Sequence, residues 1–79
     1  SHTLNLIGYH IDEGIDALGN YLDSCIRANV KNVKIIHGFG TGKLKEAIHS
    51  YLKKNKFVKE FRLCNELEGG SGATMVTLK

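Results

Sequence analysis

The fold is decided by one stretch near the middle of the chain, Val33-Lys34-Ile35-Ile36-His37-Gly38-Phe39-Gly40-Thr41-Gly42-Lys43. Its mostly apolar beginning predicts a buried strand, and the residues after it predict a helix. The alternate glycines allow positive φ angles and let backbone N–H groups approach a ligand closely. The helix directs its free N–H groups and the positive end of its dipole to the same place. The expected ligand is an anion, either a nucleic-acid phosphate or a nucleotide phosphate, and a purely structural turn is the third interpretation.

The composition predicts one ordinary globular domain. The chain has 79 residues, of which 42% are hydrophobic and 24% charged, and this is too short for two cores. Residues 3–79 are assigned to the domain, and Ser1-His2 is interpreted as a cloning remnant. No apolar run approaches the ~20 residues of a membrane helix, and no signal-peptide pattern opens the chain, so we expect a cytoplasmic location and no membrane partner. Cys25 and Cys64 are expected to be free thiols, although the sequence leaves a disulfide between them open.

The basic residues are unevenly distributed. The net charge is +3, and seven of the eleven basic residues lie between Lys43 and Arg62. Lys45, His49 and Lys53 recur every four residues in the predicted second helix, with Lys56 just beyond. This basic stripe predicts a surface that attracts polyanions through counterion release. A solvated lysine-rich helix has the same pattern, and His49 is assigned to the stripe and not to a site.

Hydrophobic periodicity predicts the element order β-α-β-α-β-β. Strands are predicted at 4–8, 33–36, 57–64 and 73–79, and amphipathic helices at 11–29 and 44–54. Helical crossovers make the first two strands parallel and place both helices on one face of the sheet, and the last two strands form a hairpin. In this α/β (α+β) arrangement, three loops converge at one edge of the sheet: 8–10, 37–43 and 69–72. Ligands bind at such an edge in open α/β sheets.

The glycine loop differs from the common nucleotide-binding loops. It is one residue short of a Walker A motif, in which Leu44 would also replace the Ser or Thr, and it misses G-x-G-x-x-G by one position. His37 is the titratable side chain beside the loop. It is interpreted either as an acid, a base or a donor to phosphate, or as a ring whose hydrogen bonds shape the turn. The sequence contains no cluster of carboxylates that would indicate a dedicated metal site. The sequence leaves open a Mg²⁺ ion that is held partly by nucleic-acid phosphate, because such a site needs only one or two protein carboxylates.

Three segments together resemble the signature of the Smr (small MutS-related) domain: Leu4-Asn5-Leu6-Ile7-Gly8, His37-Gly38-Phe39-Gly40-Thr41-Gly42 and Gly69-Gly70-Ser71-Gly72-Ala73-Thr74. The similarity covers essentially the whole chain, and the third segment most resembles the domain at the C-terminus of the second, non-mismatch-repair type of bacterial MutS protein. The resemblance implies a two-layer sandwich with a four-stranded mixed sheet and two helices on one face, similar to the C-terminal domain of translation initiation factor three.

The resemblance also implies work on nucleic acid, beside an ATPase portion of a parent chain. Family members are described as DNA-nicking endonucleases, as RNA endonucleases and as modules that act on stalled ribosomes, so recombination suppression and ribosome rescue are the implied settings. The first segment departs from the family pattern L-D-x-x-G, because Asn5 replaces the aspartate and Ile7 replaces a frequent basic residue. Asn5 cannot act as a carboxylate base or a strong metal ligand, so the departure bears on cleavage more than on binding. His10 is interpreted as a partial replacement for the missing basic residue.

Three functional hypotheses follow. In the first, the domain is an endonuclease with His37 and Asn5 as catalytic candidates. In the second, it is a non-catalytic module that delivers the parent ATPase to DNA or to a ribosome, and in the third it is a small-ligand or structural domain. The residues assigned to nucleic-acid binding are Gly38, Gly40, Thr41, Gly42, Lys43, Lys45, Lys53, Arg62, His10 and Gly70. The sequence does not separate DNA from RNA, since it has no RNP-like aromatic pair, and its tyrosines and phenylalanines are expected mainly in packing.

Overall fold

The computed structural model describes residues 2–79. Ser1, half of the pair interpreted as a cloning remnant, lies outside the described residues. Four strands and two helices follow one another in the predicted order. They are β1 (Thr3–Asn5), α1 (Ile11–Arg27), β2 (Asn32–Ile36), α2 (Lys43–Lys54), β3 (Val58–Leu63) and β4 (Ala73–Leu78), with short 3₁₀ helices at Glu66–Glu68 and Gly70–Gly72.

The strands form one mixed sheet in the order β1-β2-β4-β3. β1 is parallel to β2, and β4 is antiparallel to both of its neighbours, β2 and β3. The predicted hairpin of β3 and β4 is therefore confirmed, and β4 lies between β2 and β3. The carboxyl ends of β1, β2 and β3 meet at one edge of the sheet, which we call the loop edge. The ends of the strands farthest from it form the opposite edge.

The core lies between the sheet and the two helices, on what we call the covered face. Its fully buried side chains come from all layers of the fold and include Leu6, Leu18, Leu22, Val33, Ile35, Ile48, Leu52, Val76 and Leu78. Burying each of them stabilises the fold by about 1.5–3 kcal/mol. The other side of the sheet, the open face, is not covered by a described helix. Cys25 and Cys64 are buried free thiols, as expected.

Two glycines allow α1 to approach α2 closely. A Cβ on Gly14 would lie 3.1 Å from Cδ1 of Leu44, and a Cβ on Gly19 would lie 3.0 Å from the hydroxyl oxygen of Tyr51. Larger residues would push the helices apart, because interiors are packed to near-crystal density. Leu44 belongs to the first turn of α2, so this contact packs the start of α2 against α1.

Some predicted boundaries are wrong. β1 ends at Asn5 and not at Gly8, because Oδ1 of Asn5 accepts a hydrogen bond of 2.9 Å from the N–H of Ile7 and turns the chain. α1 ends at Arg27, since Asn29 takes a φ of 61° that no helix continues through. Within residues 2–79, neither helix is both long and apolar enough to cross a membrane.

Candidate functional site

The three loops at the loop edge form one continuous surface. The N–H groups of His37 and Gly38 both donate to the carbonyl oxygen of Gly72, at 3.0 and 2.8 Å. The ring of Phe39 lies against Gly72, where a Cβ would come within 3.0 Å of it. On the other side, Cγ1 of Ile7 lies 3.3 Å from the position of a Cβ on Gly38. The glycines therefore let neighbouring loops pack side by side.

The loop between β2 and α2 holds a run of backbone N–H groups with few partners. Gly38, Gly40 and Gly42 have φ angles of 81°, 33° and 82°, which turn the chain into α2. Within the described chain, the N–H groups of residues 39–42, 44 and 45 donate no hydrogen bond, and that of Lys43 reaches only Oγ1 of Thr41 at 3.4 Å. The positive end of the α2 dipole lies at the same place, so the loop has the properties of an anion site. Lys43 is the first residue of α2, one earlier than predicted.

His37 is buried on the covered face, with only 6% of its surface exposed. Its Nδ1 lies 3.0 Å from the carbonyl oxygen of Gly38, and its Nε2 lies 2.8 Å from Oγ1 of Thr74. The same Oγ1 lies 2.8 Å from Nε2 of His49. Because a carbonyl oxygen only accepts, Nδ1 of His37 carries a hydrogen, which assigns the tautomer. In the neutral ring, Nε2 then accepts from the Thr74 hydroxyl, whose oxygen accepts from Nε2–H of His49.

His49 was assigned to the basic stripe, and the structure corrects that assignment. Its ring lies between α2 and the sheet, with its centroid 5.1 Å from the ring of Phe61 and 6.0 Å from the ring of His37. Burial lowers the pKa of His49 below its ordinary value, and the charges of His37 and Lys45 act in the same direction. The stripe therefore consists of lysines alone, and His49 completes a hydrogen-bond chain that joins β2, β4 and α2.

The structure does not bring the two catalytic candidates together. Asn5 is paired with Ile36, one residue after the core pair of Leu4 and Ile35. Since side chains alternate along a strand, Asn5 lies on the open face and His37 on the covered face. Oδ1 of Asn5 is engaged by the N–H of Ile7. The side chains that do meet His37 are Thr74 and His49, neither of which was among the predicted site residues.

The basic candidates are spread over the whole domain. Lys43 and Lys45 lie in the first turn of α2, at the loop edge. Lys53 lies ten residues beyond Lys43 and therefore about 15 Å along the helix, close to the opposite edge. His10 lies at the start of α1, where its N–H donates to the Glu13 carboxylate at 3.2 Å.

The remaining two candidates, Arg62 and Gly70, are engaged within the protein. Arg62 makes a bidentate ion pair with Glu68, at 2.7 and 2.8 Å. The Arg62 guanidinium, together with the N–H of Asn65, lowers the pKa of Glu68 to about 2. The N–H of Gly70 donates to the carbonyl oxygen of Asn65 at 2.8 Å, inside the loop before β4.

An apolar cleft of about 170 Å³ opens on the open face at the loop edge. We call it the open-face cleft, and its walls include Ile7, Lys34, Ile36, Phe39, Glu68 and Ala73. The expectation that aromatic residues serve mainly in packing is wrong for Phe39, which is 70% exposed, and Tyr9 and Phe57 are also exposed. Among residues 2–79, no three His, Cys, Asp or Glu side chains are grouped so that they could hold a metal ion.

Comparison with known proteins identifies the family. The family described as "Smr domain" matches residues 4–79. The chain belongs to the Smr domain family. It is 49% identical to the Endonuclease MutS2 of Staphylococcus carnosus over 76 residues, which are 96% of this chain and 10% of that protein. It therefore spans about a tenth of the length of this relative.

Two solved structures have the same fold as this Smr domain. The Smr domain of Thermus thermophilus MutS2 superimposes with a TM-score of 0.96 at 29% identity, covering 100% of this chain and 99% of that one. YdaL, a stand-alone small MutS-related protein from Escherichia coli, superimposes with a TM-score of 0.91 at 25% identity, covering 99% of this chain and 64% of that one. The predicted family and the predicted four-stranded mixed sheet with two helices are thus confirmed.

Proposed function

We propose that this Smr domain binds nucleic acid through the loop between His37 and Lys43, with a backbone phosphate on the free N–H groups. The observation that carries the proposal is the run of N–H groups over residues 39–45 that have no good acceptor within the described chain. Lys43 and Lys45 strengthen it, because cations are unfavourable beside the positive end of a helix dipole. Two lysines in the first turn of α2 therefore serve a ligand better than they serve the helix.

The length of the relatives supports a larger parent protein. MutS2 proteins are about ten times longer than this chain, and the resemblance implies an ATPase portion in the parent. We infer that the domain is the nucleic-acid-binding part of a MutS-like ATPase. DNA, structured RNA and ribosomal RNA all offer the phosphate that the loop would bind, so a binding experiment must distinguish among these three partners.

The proposal is tested by fluorescence anisotropy with duplex DNA and structured RNA over a range of salt concentrations. The variant Lys43→Glu/Lys45→Glu is compared with Lys31→Glu/Lys79→Glu, which has the same change of charge at the opposite edge. We expect the first variant to bind at least about tenfold more weakly and to lose about two units of the salt slope, since each phosphate contact to duplex DNA contributes about 0.9. The control should lose much less. Equal losses in the two variants would contradict a site at the loop edge.

A third variant tests how far the interface extends. Lys53→Glu/Lys56→Glu changes the lysines near the opposite edge, about 15 Å from Lys43 along α2. If the nucleic acid runs along the whole stripe, this variant weakens binding almost as much as the variant in the first turn. If only the loop edge binds, it behaves like the Lys31→Glu/Lys79→Glu control.

Strand cleavage is the second candidate function, and the name Endonuclease MutS2 of the relatives favours it. In this structure both ring nitrogens of His37 are engaged, and Asn5 lies on the other face of the sheet. Cleavage through His37 therefore requires the ring to give up its hydrogen bond to Gly38 or to Thr74. The test is nicking of supercoiled DNA and of structured RNA, with and without Mg²⁺, by the native domain, His37→Ala and Asn5→Asp.

Cleavage by the native domain that is lost in His37→Ala, while nucleic-acid binding persists, would establish a nuclease. A gain of cleavage only in Asn5→Asp would show that the fold needs an acidic group at the end of β1. Binding without any product in all three proteins would leave a non-catalytic module of the parent ATPase.

A further inference from the structure

Phe39 occupies a position that the fold itself does not explain. Its side chain is 70% exposed at the tip of the loop between β2 and α2. Its ring touches the third loop at Gly72, where the missing Cβ leaves room for it. Ile7, which is 58% exposed, lies on the other side of Gly38. Two large apolar side chains are thus presented to solvent beside the proposed phosphate site.

The open-face cleft lies between these side chains. Ile36 and Ala73 also line it, and its walls are largely apolar. Its volume is about 170 Å³. A cleft for a drug-sized ligand holds about 300 Å³ or more. The open-face cleft therefore suits a small ligand, such as a single ring system.

The polar groups at the rim of the cleft fit the edge of a nucleobase. Lys34 lies in the wall of the cleft, with its Nζ 3.7 Å from the position of a Cβ on Gly69. Its ammonium group makes no hydrogen bond or ion pair with a described residue. Glu68 also lines the cleft, and its charge is neutralised by the ion pair with Arg62, so Lys34 contributes the remaining positive charge at the rim. Lysine donates to base acceptors such as O6 and N7 of guanine. A cationic rim beside an anion-binding loop is complementary to a nucleotide.

We propose that the open-face cleft holds one unpaired nucleobase, stacked on the ring of Phe39 with Lys34 donating to its edge. This inference rests on the proposed function, because the phosphate of the same nucleotide would occupy the N–H groups of the adjacent loop. An aromatic ring beside a phosphate site is the arrangement that proteins use for unpaired bases. The domain would then prefer bulges, flaps and single strands over continuous duplex.

The experiment uses three duplexes of one sequence: fully paired, with a single extrahelical 2-aminopurine, and with an abasic nucleotide in place of that base. Affinity is measured by anisotropy, and stacking is measured by quenching of the 2-aminopurine fluorescence. We expect the base-containing bulge to bind about tenfold or more tightly than the abasic bulge, since stacking one base on an aromatic side chain contributes a factor of about 5 to 150. The same set made of RNA shows which nucleic acid is preferred.

Variants separate stacking from general binding. Phe39→Leu keeps an apolar side chain but removes the aromatic face, and should bring the ratio of the two bulge affinities close to one. Phe39→Tyr should retain the ratio. Gly72→Ala places a methyl group 3.0 Å from the Phe39 ring, so it should displace the ring and reduce the ratio. Leu67→Ala changes a side chain that is 97% exposed in the same loop as Gly72, and should change neither affinity nor quenching.

The outcomes distinguish this inference from the proposed function. If the native domain binds all three duplexes equally without quenching, the base site is overturned while phosphate binding stands. Retention of the bulge preference in Phe39→Leu would overturn it as well. If the native domain binds no DNA or RNA, the proposed function fails and the base site fails with it.

Discussion

The covered face and the open face of the sheet use polar side chains in opposite ways at the loop edge. On the covered face, His37, Thr74 and His49 form a continuous series of hydrogen bonds. Among residues 2–79, no buried side-chain nitrogen or oxygen lacks a partner. On the open face, Lys34 is unpaired within the described chain and Phe39 is exposed. A polar residue that is recognisable in the sequence is thus available for binding only where the fold leaves its polar atoms free.

The two faces also depend on each other. His37 ends β2, Thr74 lies in β4 and His49 lies in α2, so their hydrogen bonds join three elements around the glycine loop. Satisfied buried networks make a structure more rigid. The covered face therefore holds both ends of the loop in place, and the free N–H groups between those ends can be presented to a ligand in one conformation.

The largest effect on stability is expected from Thr74→Val, which preserves shape but removes the hydroxyl. The change leaves a nitrogen of each histidine without its partner, and an unsatisfied buried polar group costs about 1–3 kcal/mol. His49 can partly reach solvent, so we expect the free energy of unfolding to fall by about 2–3 kcal/mol in total. Urea unfolding at pH 7.5 measures it.

Thr74→Ser is the matched control for this change. It keeps the hydroxyl and loses one methyl group, which costs about 1 kcal/mol. A Thr74→Val protein as stable as the parent would mean that the histidine chain contributes nothing to the fold, and the contrast between the two faces would then rest on the open face alone.

Much of the covered face could be predicted from the sequence. Alternation in β4 places Thr74 on the same face as Val76 and Leu78, and all three positions are buried in the structure. The role of His49 could not be predicted, because spacing of four residues places it in line with Lys45 and Lys53 without showing which side of that line meets the sheet. Its partner Thr74 lies 25 residues away in the sequence, and only the tertiary packing of α2 brings them together.

The open face was less predictable for a similar reason. The glycine loop is evident in the sequence, but the separation of Asn5 from His37 depends on the pairing of Asn5 with Ile36. Sequence similarity groups the two residues in one signature, and the pleat sends them to opposite faces. The open-face cleft depends on β4 lying between β2 and β3, which brings the loop before β4 against Phe39. Local periodicity does not specify that strand order.

A smaller effect is expected from His49→Gln, which separates the hydrogen bond from the charge. Glutamine can still donate to Thr74 but does not titrate. The pKa of His49 is lowered in the folded domain, so the unfolded chain binds the proton more readily. The contribution of His49 to the free energy of unfolding is therefore fully present above pH 6.5, the ordinary pKa of the side chain, and is lost as the pH falls below that value.

Urea midpoints of the parent and of His49→Gln, measured from pH 8 to pH 5, test this prediction. We expect the two proteins to have similar stability at pH 8. Below pH 6.5 the stability of the variant should decline less steeply than that of the parent, and the difference between the two should be a fraction of the loss in Thr74→Val. Identical pH profiles would show that protonation of His49 is not opposed by the fold.

The smallest effect on stability is expected on the open face, from Glu68→Gln. The pKa of Glu68 is lowered to about 2 in the folded domain, first by Arg62 and then by the N–H of Asn65. The folded state therefore holds fewer protons than the unfolded state between pH 4.5 and about 2. The contribution is complete above pH 4.5 and is lost as the pH falls toward 2. Because the pair is exposed, salt screens it and the loss in Glu68→Gln should be small.

The same substitution should act on binding in the opposite direction. Glu68→Gln removes an acidic group from the rim of the open-face cleft and frees the Arg62 guanidinium, which can then contact phosphate. We expect slightly lower stability together with tighter nucleic-acid binding, whereas Thr74→Val should lower stability most. Acid titration of the urea midpoint from pH 5 to pH 2.5, beside anisotropy at neutral pH, measures both quantities. Weaker binding in Glu68→Gln would mean that the Arg62–Glu68 pair supports the binding surface as the histidine chain supports the loop, and the contrast between the two faces would no longer hold.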